Sequence, residues 1–101
     1  MCTSIALIGN KALYGRNMDI DYSFGECAVN TPRSFPLAFR TGITLEKHYA
    51  FAGTAVVTDN FPLYAEAMNE NGLYIAALKF PENAFYNETE ICKSIFPDIF
   101  E

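Results

Sequence analysis

Short apolar runs, each closed by a turn signal, follow one another along most of this chain and leave little room for helix. Residues 2–8 and 12–18 are two such runs, split by Gly9-Asn10-Lys11, and read as a hairpin. Residues 19–26 read as a loop, and residues 27–31 as a short strand ending before Pro32. Pro36 and Gly42 punctuate an irregular connection. Residues 48–58, rich in Ala, Val and Phe, predict a buried strand. Asp59-Asn60-Phe61-Pro62 predicts a turn and residues 63–68 the next strand. Asn71-Gly72 is the strongest turn signal, because both residue types tolerate positive φ, and it leads into a strand over 73–80. Residues 81–89 are loop-like, and 90–96 can begin a helix that Pro97 interrupts. The pattern predicts a mostly antiparallel sheet with almost no helix to cover it, whereas a complete domain buries both faces of such a sheet.

Bulk properties narrow the function classes. The 101 residues are half hydrophobic and carry a formal charge of −5, which suits one soluble unit and argues against a nucleic-acid partner. The longest apolar stretches, near residues 5–8 and 50–57, are far too short to cross a bilayer, so no membrane partner is expected. No basic segment precedes a hydrophobic core at the N-terminus, so the expectation is a cytoplasmic protein without a secretory leader. An odd number of cysteines, three, argues against a disulfide framework. There is no HxxxH, CxxC or carboxylate cluster for a metal and no glycine-rich phosphate loop, so no cofactor is expected.

The start Met1-Cys2-Thr3-Ser4 carries the chemistry. Aminopeptidases remove an initiator Met that precedes a small side chain, and Cys2 then bears a thiol and a free α-amine on one residue. An α-amine titrates near about 7.7–8.0 and a thiol near about 8.5, so the two are matched for proton exchange at neutral pH. One residue then serves as nucleophile and base together. The hairpin puts Cys2 at its open end, opposite the end of the second strand, which brings Arg16 and Asp19 beside it. A guanidinium there favours thiolate and can hold an oxyanion or carboxylate. Asp19 can accept a hydrogen bond from the Cys2 amine, while Asp21 reads as a loop carboxylate. The competing chemistry is a Cys–His dyad with His48, the only histidine. Cys27 and Cys92 read as small buried hydrophobes.

The run Tyr14-Gly15-Arg16-Asn17-Met18-Asp19-Ile20-Asp21-Tyr22-Ser23-Phe24-Gly25-Glu26, with Thr31-Pro32-Arg33 and Met68-Asn69-Glu70-Asn71-Gly72-Leu73 further on, adds a second kind of evidence. Together with the Cys2 start, these residues resemble the choloylglycine hydrolase family: bile salt hydrolases, penicillin V acylases and related N-terminal-nucleophile hydrolases. The resemblance runs from Met1 to about Asn87. It implies an α+β fold, of which this chain is the N-terminal, mostly antiparallel β part of an αββα sandwich. Family members are roughly three times as long, so residues 1–101 are expected to form one partial, truncated domain.

For the site, the resemblance implies that Cys2, Arg16 and Asp19 are the nucleophile and its nearest helpers. It also implies that Met18, Ile20, Phe24 and Ala65 line an apolar acyl pocket; their bland alternative is ordinary core. Lys79 departs from the family pattern, since it stands where bile salt hydrolases have an oxyanion-donating asparagine and penicillin acylases commonly a tyrosine. The implied reaction is hydrolysis of a linear amide C–N bond, foremost deconjugation of glycine- or taurine-conjugated bile salts. The implied partner is a small-molecule amide, and full-length relatives are expected to be homo-oligomers. Penicillin V or another N-acyl compound is the nearest rival substrate. The rival class is an inactive fragment that aggregates or needs a missing C-terminal portion.

Overall fold

The structure, a computed structural model, describes residues 2–39 and 42–78. Among these residues every regular element is a strand: β1 (Thr3–Ile8), β2 (Ala12–Asn17), β3 (Cys27–Thr31), β4 (Leu37–Ala38), β5 (Thr44–Leu45), β6 (Phe51–Thr58), β7 (Phe61–Asn69) and β8 (Tyr74–Ala76). All pairings are antiparallel. The strands form a β1-β2 hairpin, a four-stranded sheet in the order β3-β6-β7-β8, and a small β4-β5 hairpin.

Turn chemistry fixes the register. Asp59 and Asn60 both take positive φ, 51° and 61°, and join Thr58 to its partner Phe61 in a two-residue turn. This backbone twist matches that of the flanking strands, and Asp and Asn are among the few residues that adopt it cheaply. Phe61 and Pro62, read from the sequence as part of the turn, are therefore already strand. At the next hairpin only Gly72 has positive φ, 85°. There Asn69 organises the turn through its side chain, which accepts the N–H groups of Asn71 and Leu73.

The β4-β5 hairpin falls inside the stretch read as irregular. Each strand has two residues, too few to show an alternating pattern. It is closed by the Phe39 N–H donating to the Ile43 carbonyl at 2.8 Å. The segment packs back on the sheet through Phe39 against Phe61 and His48 against Phe51.

Among the described residues Leu37, Ala55, Tyr64 and Ala65 are buried, with Thr31 as the buried polar residue. The Tyr64 and Thr31 hydroxyls share a hydrogen bond of 2.7 Å, and Tyr64 also donates to the Val29 carbonyl. Burial pushes the Tyr64 pKa up. At the surface Arg33 forms a bidentate pair with Glu70, whose carboxylate also accepts the Ala50 N–H. That pairing joins two of the sequence landmarks, Thr31-Pro32-Arg33 and the turn following Met68.

Further expectations change. Of the strand read over 73–80, the described residues are strand only over Tyr74–Ala76. The strand read over 48–58 begins at Phe51, and its far end, Val57 and Thr58, is exposed rather than buried. Cys27, read as buried, is exposed, at the first position of β3. Its thiol sits 3.7 Å from the Ala55 carbonyl. The loop and helix expectations over 81–101, and with them Cys92, lie outside the described residues.

Candidate active site

The β1-β2 hairpin presents Cys2. Its register pairs Thr3 with Asn17 and Ser4 with Arg16, so Cys2 follows at the open end, opposite Met18. The Thr3 N–H donates to Asn17 Oδ1 at 2.6 Å, which fixes the strand just after Cys2. Directly opposed residues in an antiparallel pair share a face, and faces alternate along each strand. Ser4, Tyr14 and Arg16 therefore share one face of the hairpin. The other face carries Ile5, Leu7 and Leu13, all more than half exposed. Cys2 itself is half-buried.

The face carrying Tyr14 and Arg16 is turned toward the four-stranded sheet. Tyr14 stacks on Tyr74 with ring centroids 4.7 Å apart. Arg16 Nη1 donates to the Ala65 carbonyl at 2.8 Å. Ala65 lies where the register of β6 and β7 shifts: Thr54 pairs with Glu66 but Ala55 with Tyr64, so Ala65 is the extra residue of a β-bulge. The Ala77 N–H donates to the same oxygen.

Gly53 lets the β7 backbone approach β6 closely. A Cβ at Gly53 would stand 2.0 Å from the Glu66 carbonyl oxygen and 2.8 Å from Ala67 Cα.

Around the bulge, Arg16, Met18, Thr54, Ala65 and Glu66 line a cavity of about 100 Å³. Arg16 and Glu66 also border a larger cleft of about 490 Å³ between hairpin and sheet, lined among others by Tyr14, Met68 and Tyr74. Both Glu66 carboxylate oxygens are engaged: Oε1 accepts from the Thr54 hydroxyl at 2.9 Å and Oε2 from the Tyr74 hydroxyl at 2.5 Å. Burial, then the neighbouring Glu66 carboxylate, raises the Tyr74 pKa. Arg16 Nε and Nη2 are buried and have no hydrogen-bond partner among the described residues.

The structure thus gathers Arg16, Met18 and Ala65 around one cavity, with Cys2 directly before the strand paired with that of Arg16. Asp19 is exposed, in the loop directly after β2. Ile20 is half-buried, while Phe24 is exposed and edge-on to Tyr22 at 4.9 Å. Neither lines the two cavities described. Lys79 lies outside the described residues. His48 is engaged elsewhere: its Nε2 is 2.7 Å from the Phe35 carbonyl and its Nδ1 is 2.8 Å from the Tyr49 carbonyl.

Sequence reading missed Thr54, Glu66, Tyr74 and Gly53. Their importance comes from the bulge, and a one-residue shift between two strands leaves no periodic signal. Among the described residues no group of His, Cys, Asp and Glu is arranged to hold a metal, and no helix is long and apolar enough to cross a membrane.

The chain is 41% identical over 93 residues to a bile salt hydrolase/transferase of Lactiplantibacillus plantarum, covering 92% of this chain and 29% of that protein. It is 38% identical to a bile salt hydrolase/transferase of Clostridium perfringens, with coverage of 90% and 29%. Among solved structures, a variant of the conjugated bile acid hydrolase from Clostridium perfringens superposes with a TM-score of 0.79 at 37% identity, over 90% of this chain and 29% of that one. A second variant of that enzyme gives a TM-score of 0.76 at 34% identity, over 90% and 28%. The chain therefore spans under a third of the length of these relatives. The family model for linear amide C–N hydrolases of the choloylglycine hydrolase family matches residues 2–97, and the chain belongs to that family.

Proposed function

We propose that this chain carries the nucleophile end of an amidohydrolase that cleaves conjugated bile salts, its strands forming part of an αββα sandwich. The observation that carries this reading is the family match over residues 2–97 together with a cysteine at position 2, directly before the strand that pairs with that of Arg16. The named relatives, bile salt and conjugated bile acid hydrolases, support the substrate class.

In the proposed reaction the Cys2 thiolate attacks the amide carbonyl, and its own α-amine takes the thiol proton. Arg16 favours the thiolate and stabilises the charge that develops on oxygen. Asp19 orients the amine. The tetrahedral intermediate collapses with the C–N bond breaking, and the proton passes from the Cys2 ammonium to the leaving glycine or taurine nitrogen. A thioester remains on Cys2, and water, deprotonated by the same amine, releases the bile acid. Met18 and Ala65 offer apolar surface beside Arg16, with Ile20 and Phe24 extending it along the following loop. In this reading Lys79, at the sequence position of the family's oxyanion donor, weakens amide hydrolysis. The site is cytoplasmic in this reading.

The test is amine release from glycocholate, taurocholate and penicillin V by Met1-processed protein, with Cys2→Ala as control. Release from the two bile salts that disappears in the control supports the reading. Preference for penicillin V moves the substrate class to N-acyl penicillins. Release that survives in the control rules Cys2 out as nucleophile.

A further inference from the structure

Arg16 is held from one side only. Its Nη1 meets the Ala65 carbonyl, while Nε and Nη2 are buried and meet no acceptor among the described residues. Buried donors on a charged group are costly to leave unmatched, so an arrangement that keeps two of them unengaged points to an acceptor arriving with substrate.

The hold itself comes from the sheet. Ala65 is the bulged residue, and its neighbour Glu66 is tied on both carboxylate oxygens, to Thr54 on β6 and to Tyr74 on β8. Glu66 lines both cavities that Arg16 borders. Tyr74 also stacks on Tyr14, two residues before Arg16 on the hairpin. The carboxylate thus links three strands at the point where the sheet grips the hairpin.

Resting on the reading of Cys2 and Arg16 as reaction centre, we propose that Glu66 is a positioning residue. Tied to Thr54 and Tyr74, it locks the bulge so that the Ala65 carbonyl holds Arg16 by Nη1 and leaves Nε and Nη2 for substrate. The titratable groups around Arg16 are Cys2 and Tyr14 on its own hairpin, Glu66 from β7 and Tyr74 from β8, with Asp19 in the loop after β2.

Positioning and simple charge have opposite signs at Cys2. A nearby carboxylate acting only through space disfavours thiolate, so its removal would lower the pH at which Cys2 becomes reactive. If Glu66 acts by holding Arg16, its removal loosens the guanidinium and raises that pH.

The experiment is the pH dependence of Cys2 alkylation by iodoacetamide in Met1-processed protein. Peptide mass spectrometry separates Cys2 from Cys27 and Cys92, and circular dichroism verifies folding. Arg16→Ala is expected to move the midpoint up by about one unit. Glu66→Gln is expected to move it up by roughly half a unit, with no further rise in the Arg16→Ala background. Tyr74→Phe is expected to shift it in the same direction and carries the test if Glu66→Gln does not fold. A midpoint that falls or stays in place in the glutamate variant, or in Tyr74→Phe where that variant carries the test, while Arg16→Ala raises it, overturns the positioning role alone. A midpoint unmoved by Arg16→Ala overturns the reading of the centre itself.

Discussion

Gly53 shows how much one missing methyl can decide. The bulge at Ala65 brings the β7 backbone so near that any Cβ at Gly53 collides with the Glu66 carbonyl, and backbone cannot swing aside as a side chain can. Gly53→Ala is expected to destabilise the fold by about 3 kcal/mol, the upper end of the usual cost of overpacking. Urea unfolding of the variant checks this, and an unchanged midpoint would contradict it. The effect is expected to extend to Arg16, since the displaced segment carries its acceptor. At Lys79 the expectation comes from the resemblance alone: an ammonium at the family's oxyanion-donor position would depress the Cys2 amine's pKa and occupy space meant for substrate. Lys79→Asn is expected to raise the rate of bile salt cleavage several-fold, measured as kcat, and no gain would remove Lys79 as an obstacle.

At the scale of elements, the legible parts of the fold were those written in local chemistry. Gly9-Asn10-Lys11 marked the first hairpin. The strand Cys27–Thr31 was readable from the proline that follows it. The bulge was not readable, because Ala65 looks like any other apolar residue of β7 and only cross-strand register reveals it as extra. For that reason Ala65 could be named as a pocket residue from resemblance, whereas its carbonyl as the anchor of Arg16 could not. The β4-β5 hairpin escaped for want of length. Asp59-Asn60 was read as a turn but ranked below Asn71-Gly72, although it is the turn with two consecutive positive-φ residues. Asn60→Val there is expected to cost about 1–2 kcal/mol, because a β-branched residue is strained at φ 61°, while Asn60→Gly is expected to be nearly neutral. Thermal unfolding of the pair checks the difference, and equal midpoints would contradict the turn assignment.

Across the whole molecule, polar ties at the surface supplement a small core. The Arg33–Glu70 pair and the Ala50 N–H together hold the Glu70 carboxyl below its ordinary value of 4.5. The Ser23 hydroxyl and the Phe24 N–H do the same for Glu26. Both carboxyls have lower pKa values folded than unfolded. Their contribution is therefore present above about pH 4.5 and is lost as pH falls through the folded values. Thermal stability is expected to drop on acidification below that point, and Glu70→Gln is expected to flatten the drop. A Glu70→Gln profile that parallels the wild type would show that the pair adds nothing measurable, the usual fate of exposed pairs. The outer hairpin face, with Ile5, Leu7 and Leu13 exposed, balances the polar ties with apolar surface on the side away from the site.

All of these scales meet in the claim that Cys2 is the nucleophile of an amide hydrolysis. The most direct test is to mix Met1-processed protein with glycocholate, quench in acid within the first turnover, and weigh the protein and its peptides. The expected result is a cholyl adduct, bound as a thioester, on the peptide that begins with Cys2, absent from Cys2→Ala and cleared as glycine release continues. Glycine release with no adduct on that peptide, or with an adduct on Cys27 instead, would contradict the claim.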